Sequence, residues 1–305
     1  STIEIDPLSP TVAGSDAWAL LWAGPAYLLA AILVDFLQSY PAAASRITAV
    51  TERSIRAIED APLVDEDEDV VAERHRISTE PAQPDELSRL QERRKVYGNS
   101  KRHKVAVRGT SFSVRSGEVL GYLGINGAGK TSTMKMLTGD ILPTAGSAHL
   151  GGMNILTQQR QVRRLIGYCP QFDALLDRLT VREHLELFAR IRGVTKEDMG
   201  RTVATVMKRM DLTRFENKLA GTLSGGNKRK LSVGIPLIGG PPIVFLDEPT
   251  TGVDPVARRF LWNVISEICT ERQDCAVVLT THVMEEVEAL CTRVGIMVGG
   301  RLRCL

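Results

Sequence analysis

The chain has 305 residues, 43% of them apolar, 24% charged and 5% aromatic, with a formal net charge of +2. That length permits one large domain or two small ones with a full core, and so mild a charge does not suggest a nucleic-acid partner. The five cysteines (Cys169, Cys269, Cys275, Cys291 and Cys304) form no CxxC pair, which argues against a disulfide framework or a zinc site and fits a reducing compartment.

Residues 17–34 contain no charge, and the apolar run continues past Asp35 to about Leu37. As a helix it measures about 30 Å, enough to cross a bilayer core. Trp18 and Trp22 lie near one end and Tyr40 just beyond the other, where amphipathic rings favour the interface. Pro25 would kink the helix, which a membrane tolerates if neighbouring helices satisfy the freed carbonyl. Glu4, Asp6 and Asp16 precede the run, and Arg46, Arg53 and Arg56 follow it. The positive-inside rule therefore places everything after it in the cytoplasm. A buried core helix would rarely be so long without a charge. The stretch Ala42–Ala43–Ala44–Ser45 looks like a cleavage site, but a signal peptide would need a basic n-region and a shorter apolar run. The expectation is one transmembrane helix over about 17–37. The chain starts at Ser1 rather than Met and stops at Leu305, just after an apparent strand, so a fragment of a longer protein is expected.

Residues 41–90 turn polar and include the block Asp65–Glu66–Asp67–Glu68–Asp69. Like charges this close repel and stay solvated, so an acidic cytoplasmic linker is expected. From 91 to 305 short apolar runs (118–123, 243–246, 276–279, 294–298) alternate with stretches of helical period (130–137, 181–191, 257–269). Buried strands alternating with helices predict an α/β domain around a largely parallel sheet, with a helical insertion over about 175–237. The cluster Lys101–Arg102–His103–Lys104 lacks interleaved aromatics and is read as a solvated loop.

The strongest motif is Gly124–Ile125–Asn126–Gly127–Ala128–Gly129–Lys130–Thr131, followed by Ser132. It matches GxxxxGK[ST] between a predicted strand and a predicted helix. Glycines let such a loop wrap phosphate with its backbone N–H groups, Lys130 can reach the β- and γ-phosphates, and the Thr131 hydroxyl can ligate Mg²⁺. The apolar run 243–246 ends in Asp247 and Glu248. A buried strand would deliver Asp247 to the sheet edge beside the phosphates, to hold the Mg²⁺ shell, with Glu248 placed to polarise the attacking water. Ser224, Gly225 and Gly226, at a predicted helix start, form a second phosphate-binding terminus. One phosphate is not easily clasped by both termini of one subunit, so the second should serve a nucleotide on a partner.

The run Leu223–Ser224–Gly225–Gly226–Asn227 resembles the signature of ABC transporter nucleotide-binding domains. The resemblance covers about residues 95–305 and implies a P-loop NTPase fold of the ABC type. It further implies that Gln171 is the Q-loop glutamine sensing Mg²⁺ and the membrane domain. By the same likeness Asp254 belongs to the D-loop, His282 contacts the γ-phosphate, and Tyr97 stacks on adenine. Asn227 stands where most of the superfamily has glutamine. With Lys228–Arg229–Lys230 and Leu237–Ile238–Gly239–Gly240–Pro241–Pro242 it is similar to the A subfamily, long single chains with two membrane halves and two nucleotide domains, many of which move lipids.

The resemblance thus implies an ATPase of a multi-pass membrane protein that uses ATP and Mg²⁺. Its implied partners are a second nucleotide-binding domain in the same full-length chain, transmembrane domains and a lipid substrate. Two alternatives remain at this level: a soluble ABC ATPase, against which the run 17–34 argues, and a slowly hydrolysing regulatory ATP-binding module.

Overall fold

The structure is a computed structural model and describes residues 14–39, 66–99 and 102–305. The chain divides into two units, one within residues 1–49 and one within 50–305.

The first unit is helix α1, Gly14–Ser39, with Pro25 inside it. Its described side chains run from Leu21 to Asp35, and Trp22, Tyr27, Leu29 and Leu33 are exposed. The expected transmembrane span over about 17–37 falls on α1, and its side chains at 17–20 and 36–37 lie outside the described residues. Among the described residues no helix is long and apolar enough to cross a membrane.

The second unit opens with helix α2, Glu68–Thr79, which corrects the expected linker. Asp65 and the first half of the linker, 41–65, lie outside the described residues, but Glu66 to Asp69 are part of the fold. Asp67 N–H donates to the Arg303 carbonyl at 3.0 Å, and Leu305 N–H donates to Asp69 Oδ2 at 2.8 Å. Val70 and Ile77, seven residues apart on one helix face, are buried. Strand β1, Glu86–Asn99, pairs antiparallel with β2, Arg102–Arg115. The expected basic loop at 101–104 is in this way largely strand, although residue 101 itself lies outside the described residues.

Strand β3, Val119–Leu123, leads through the glycine-rich turn into α3, Lys130–Thr138. β4, Ala145–Leu150, and the short β5, Met153–Asn154, complete a four-stranded antiparallel sheet of order β2-β1-β4-β5. Helix α4, Gln159–Leu165, and strand β6, Ile166–Cys169, return the chain to the second sheet.

Between β6 and the next strand the regular elements are all helical. They are α5 (Val181–Arg192), α6 (Lys196–Arg209), α7 (Gly225–Gly234) and three short 3₁₀ turns. Local sequence explains their starts. Thr180 and Glu183 form a reciprocal capping box on α5, and Thr195 caps α6 through Asp198 N–H. Apolar spacing explains their faces, since Val181, Leu185 and Ala189 of α5 and Val203, Val206 and Met207 of α6 are buried.

The chain closes with β7 (Ile243–Asp247), α8 (Pro255–Glu271), β8 (Ala276–Thr281), α9 (Met284–Leu290), β9 (Arg293–Val298) and β10 (Arg301–Cys304). The second sheet has the order β10-β9-β3-β8-β7-β6, with parallel pairing from β9 through β6. Pleat alternation splits its side chains between two cores. Val119, Val244, Leu246, Val277 and Leu279 pack with the helices α5 to α8. Leu120, Ile243, Phe245, Ala276 and Val278 pack with α3 and the antiparallel sheet. Burial on both faces is why these strands read as continuous apolar runs. Burial of each Val, Leu, Ile or Phe side chain among them contributes about 1.5–3 kcal/mol.

Registry then places the chemistry. Leu123 pairs with Thr281, Asp247 with Thr280, and Cys169 with Leu246. The segments after β3, β6, β7 and β8 therefore leave the sheet at one carboxyl edge, where open α/β sheets bind ligands.

Candidate functional site

Two glycines shape the turn after β3. Gly129, the N-cap of α3, has φ +109°, and a Cβ there would lie 2.3 Å from the Ala106 carbonyl oxygen. A Cβ at Gly124 would lie 2.5 Å from the Met297 carbonyl oxygen. Neither position admits a side chain without moving backbone, so the loop stays close to the sheet and the α3 N-terminus keeps its unpaired N–H groups and positive dipole end available to an anion.

Beside this loop is a cavity of about 310 Å³. Asn126, Gly127, Gly129, Lys130, Thr131, Ser132, Gln171, Glu248 and Tyr97 line it, together with Ala106 and Lys104. Lys130 is buried, and its Nζ donates to the carbonyls of Gly124 at 2.6 Å and Ile125 at 3.2 Å. Burial lowers its pKa, and the charges of Glu248 and Asp247 oppose that shift. At the rim the Tyr97 hydroxyl is 3.2 Å from Ser132 Oγ, and Lys95 Nζ lies 5.0 Å from the Tyr97 ring centroid.

The carboxylates arrive from β7. Asp247 Oδ1 accepts hydrogen bonds from Thr280 Oγ1 at 2.5 Å and Thr131 Oγ1 at 3.4 Å. Its Oδ2 is buried without a hydrogen-bond partner. Burial raises the Asp247 pKa, and the hydrogen bonds from Thr280 and Thr131 act against it. Glu248 has φ +47°, a conformation costly for a side-chain-bearing residue. Its N–H donates to both the carbonyl and the hydroxyl of Thr280, each at 3.1 Å. Its carboxylate accepts from Gln171 Nε2 at 3.1 Å and Thr251 Oγ1 at 3.0 Å. His282 Nδ1 stands 3.5 Å from Glu248 Oε2, and Lys130 Nζ stands 4.0 Å from Oε1.

Gln171, Glu248, His282 and Lys130, widely spaced in sequence, meet at one carboxylate. The pair Thr131 and Asp247 stands directly behind them. An orphaned carboxylate oxygen next to a threonine hydroxyl suits a hard divalent cation that takes its remaining ligands from phosphate and water. Among the described residues no cluster of three or more His, Cys, Asp and Glu side chains could hold a metal by itself. A cation shared with a nucleotide is the arrangement these residues fit.

A second group lies apart from this cavity. Ser224 caps α7 by accepting from Asn227 N–H at 3.4 Å, and Gly225 and Gly226 form its first turn. A Cβ at Gly226 would lie 3.2 Å from Asp254 Oδ2. The Asp254 carboxylate itself caps α8, accepting from Val256 and Ala257 N–H at 3.1 and 3.0 Å. Ser224, Gly225, Gly226 and Asp254 do not line the cavity beside Lys130. Within this chain Asp254 thus caps α8 and lies against the glycines of α7.

Three contributors escape motif reading. Thr280 anchors both Asp247 and Glu248, although Leu279–Thr280–Thr281–His282 marks only the histidine. Lys104 lines the cavity because β2 pairs it with Tyr97. Arg229 is buried beneath Glu248, whereas a Lys–Arg–Lys run ordinarily signals a solvated face.

With this geometry in place, the comparisons with known proteins fall into line. Residues 107–251 match the family model described as ABC transporter. The chain is 52% identical over 243 residues to ATP-binding cassette sub-family A member 2 of Homo sapiens, covering 79% of this chain and 10% of that protein. It is 48% identical over 303 residues to the retinal-specific phospholipid-transporting ATPase ABCA4 of Homo sapiens, covering 98% of this chain and 12% of that protein. The chain therefore spans about a tenth of the length of these curated relatives. Among solved structures it resembles an ATP-binding subunit of an ABC transporter, with a TM-score of 0.64 and 26% identity over 71% of this chain and 88% of that one. A dimeric ATP-binding cassette in a post-hydrolysis state with ADP and Pi shares the fold, with a TM-score of 0.65 at 22% identity over 71% of this chain and 96% of that one.

Proposed function

The chain belongs to the ABC transporter family, and from that premise we propose that its second unit binds and hydrolyses ATP to drive transport by a longer membrane protein. The observation that carries this reading is the convergence of Lys130, Glu248 and Gln171 at one cavity beside a helix N-terminus, with Asp247 bonded to the cavity-lining Thr131.

In this reading the loop 124–129 and Lys130 hold the β- and γ-phosphates, and Tyr97 stacks on the base. Mg²⁺, when bound between Thr131, Asp247 and the phosphates, supplies charge neutralisation to the leaving and transferring groups. Glu248 accepts a proton from the attacking water, while Gln171 and His282 orient its carboxylate through the contacts described above. The left-handed backbone at Glu248 presents that carboxylate towards Lys130, and the double anchor on Thr280 offsets its strain.

Ser224, Gly225 and Gly226 stand outside the cavity at a helix start, and we assign them to the γ-phosphate of a nucleotide on a second nucleotide-binding domain. Two such domains would close around ATP and reopen when charge-assisted contacts are lost with phosphate. The likeness to a protein named as phospholipid-transporting supports a phospholipid cargo for the longer protein. The exposed apolar side chains of α1 support a place beside lipid or membrane helices, with the ATP-binding unit in the cytoplasm.

The test is steady-state ATP hydrolysis against protein concentration, for the parent chain and its Glu248→Gln variant. The reading expects activity that rises faster than linearly, and a loss of about 10²–10⁴-fold in the variant with ATP binding retained. Equal rates in both would remove the catalytic role from Glu248 and leave a regulatory ATP-binding module.

A further inference from the structure

Arg229 lies on α7, five residues after its N-cap Ser224, and only 3% of it is exposed. Its guanidinium makes six hydrogen bonds within the chain. Nε donates to the Pro249 carbonyl at 2.7 Å, and Nη2 donates to the carbonyls of Asp247 at 3.1 Å and Glu248 at 2.9 Å. Nη1 donates to the carbonyls of Pro170 at 3.0 Å and Gln171 at 3.2 Å, and to Asp173 Oδ1 at 2.9 Å.

Five of these six acceptors are backbone carbonyls. The guanidinium therefore fixes the course of two loops, the one leaving β7 with Glu248 and the one leaving β6 with Gln171. It also holds the carbonyl side of the residue with φ +47°, while Thr280 holds the N–H side. A planar five-donor fork is needed for this, because a lysine ammonium has three donors and no fork. Guanidinium and loops move as one unit unless several charge-assisted hydrogen bonds break together.

The same helix starts with the glycines assigned above to a partner's phosphate. We propose that Arg229 is the positioning residue through which a displacement of the α7 N-terminus is passed to Glu248 and Gln171 of the same chain. Engagement of α7 by the partner's nucleotide would then set the water-activating geometry at this chain's own nucleotide, coupling the two sites. The inference rests on the proposed ATP sandwich and deepens it by naming the side chain that links its two halves.

The test uses the complete protein that carries this sequence, with MgATP as the probe. Phe172 is 79% exposed and adjoins Gln171, so Phe172→Trp supplies an indole that reports the position of that loop. It is combined with Arg229→Gln or with the milder Asp173→Asn, which removes the negative charge from one of the six acceptors and keeps the other five unchanged. Expected for Arg229→Gln is a fall in kcat of at least about 30-fold with KM for MgATP within about 3-fold. The ATP-induced change in indole fluorescence should be lost, and the Hill coefficient for ATP should fall to about 1. Asp173→Asn should lower kcat a few-fold in the same pattern, which keeps the proposal testable if Arg229→Gln fails to fold. Parent-like kcat, Hill coefficient and fluorescence response in both variants would overturn the coupling while leaving the ATPase reading intact. Parallel loss of ATP affinity and thermal midpoint would also overturn it, in favour of a purely structural role. If the parent and Glu248→Gln hydrolyse equally slowly, the ATPase reading fails, and the fluorescence comparison still decides whether Arg229 couples α7 to the Gln171 loop.

Discussion

The hydroxyl of Thr280 donates to Oδ1 of Asp247 at 2.5 Å, and this bond leaves Oδ2 of the same carboxylate buried and without a partner. A buried acceptor is costly to leave unpaired, by about 1–3 kcal/mol, and a nucleotide-bound cation would satisfy it. Asp247→Asn should therefore abolish hydrolysis by two orders of magnitude or more while sparing metal-free nucleotide binding. Binding of a fluorescent nucleotide, with Mg²⁺ and with a chelator, measures this. Chelation should weaken binding to the parent chain and leave the variant nearly unchanged. An equal response of both proteins to chelation would place the metal elsewhere.

Tyr97 is 38% exposed at the rim of the cavity, touching Ser132 on α3. If its ring stacks on the base, Tyr97→Ala should weaken ATP binding by about 1–2 kcal/mol, or roughly 5–30-fold. Tyr97→Phe keeps the ring and should stay within a few-fold of the parent. Lys104, opposite Tyr97 on β2, should contribute a smaller loss when changed to alanine, and that loss should shrink at high salt. Calorimetric titration with ATP reads all three. A phenylalanine variant as weak as the alanine variant would show that the hydroxyl, not the ring, matters.

Glu86 has a fully buried carboxylate between Arg76, at 2.5 Å, and Arg89, at 2.8 Å. Burial raises its pKa, but the hydrogen bonds and charges of the two arginines together outweigh burial and hold it below the ordinary 4.5. Glu73, bound to Arg76 and Ser113, is lowered in the same way. Because both folded-state values are depressed, their contribution to stability is present above about pH 4.5 and is lost as pH falls through the depressed values. Urea unfolding between pH 3 and 7 should show this loss. Glu86→Gln should cost about 1–3 kcal/mol at neutral pH and flatten the acid slope. A variant with the parent's slope would exclude Glu86 as its source.

Motif and period together anticipated β3, β7, β8 and β9 of the parallel sheet to within one or two residues, but not the edge strand β6. Strand 243–246, for example, extends only to Asp247. The reason is that these strands are buried on both faces and read as unbroken apolar runs between glycines and charges. The antiparallel sheet was illegible for the opposite reason. β1 carries Arg89, Arg93, Arg94 and Lys95 among its apolar positions, and bulges between Leu90 and Arg94 interrupt its alternation. Helix α2 was hidden in an acidic block because its buried face needs only Val70 and Ile77, while Glu73 is neutralised by Arg76 and accepts hydrogen bonds from Ser113.

The sequence by itself determined which groups could meet a phosphate. Lys130, Thr131, Asp247, Glu248 and His282 stand in segments whose spacing puts each at the end of a strand or the start of a helix, and local periodicity reports that without any tertiary contact, whereas Gln171 entered only through the resemblance to ABC domains. Only the tertiary structure decided how they are held. Thr280 reaches Asp247 and Glu248 because β8 lies beside β7 in one register. Lys104 reaches the cavity because β2 folds back on β1. Arg229, a charge in a basic run, is buried because α7 lies under two loops whose carbonyls match its five N–H groups. The pairings of Thr280 and Arg229 join residues 18 to 59 positions apart, beyond the reach of local periodicity.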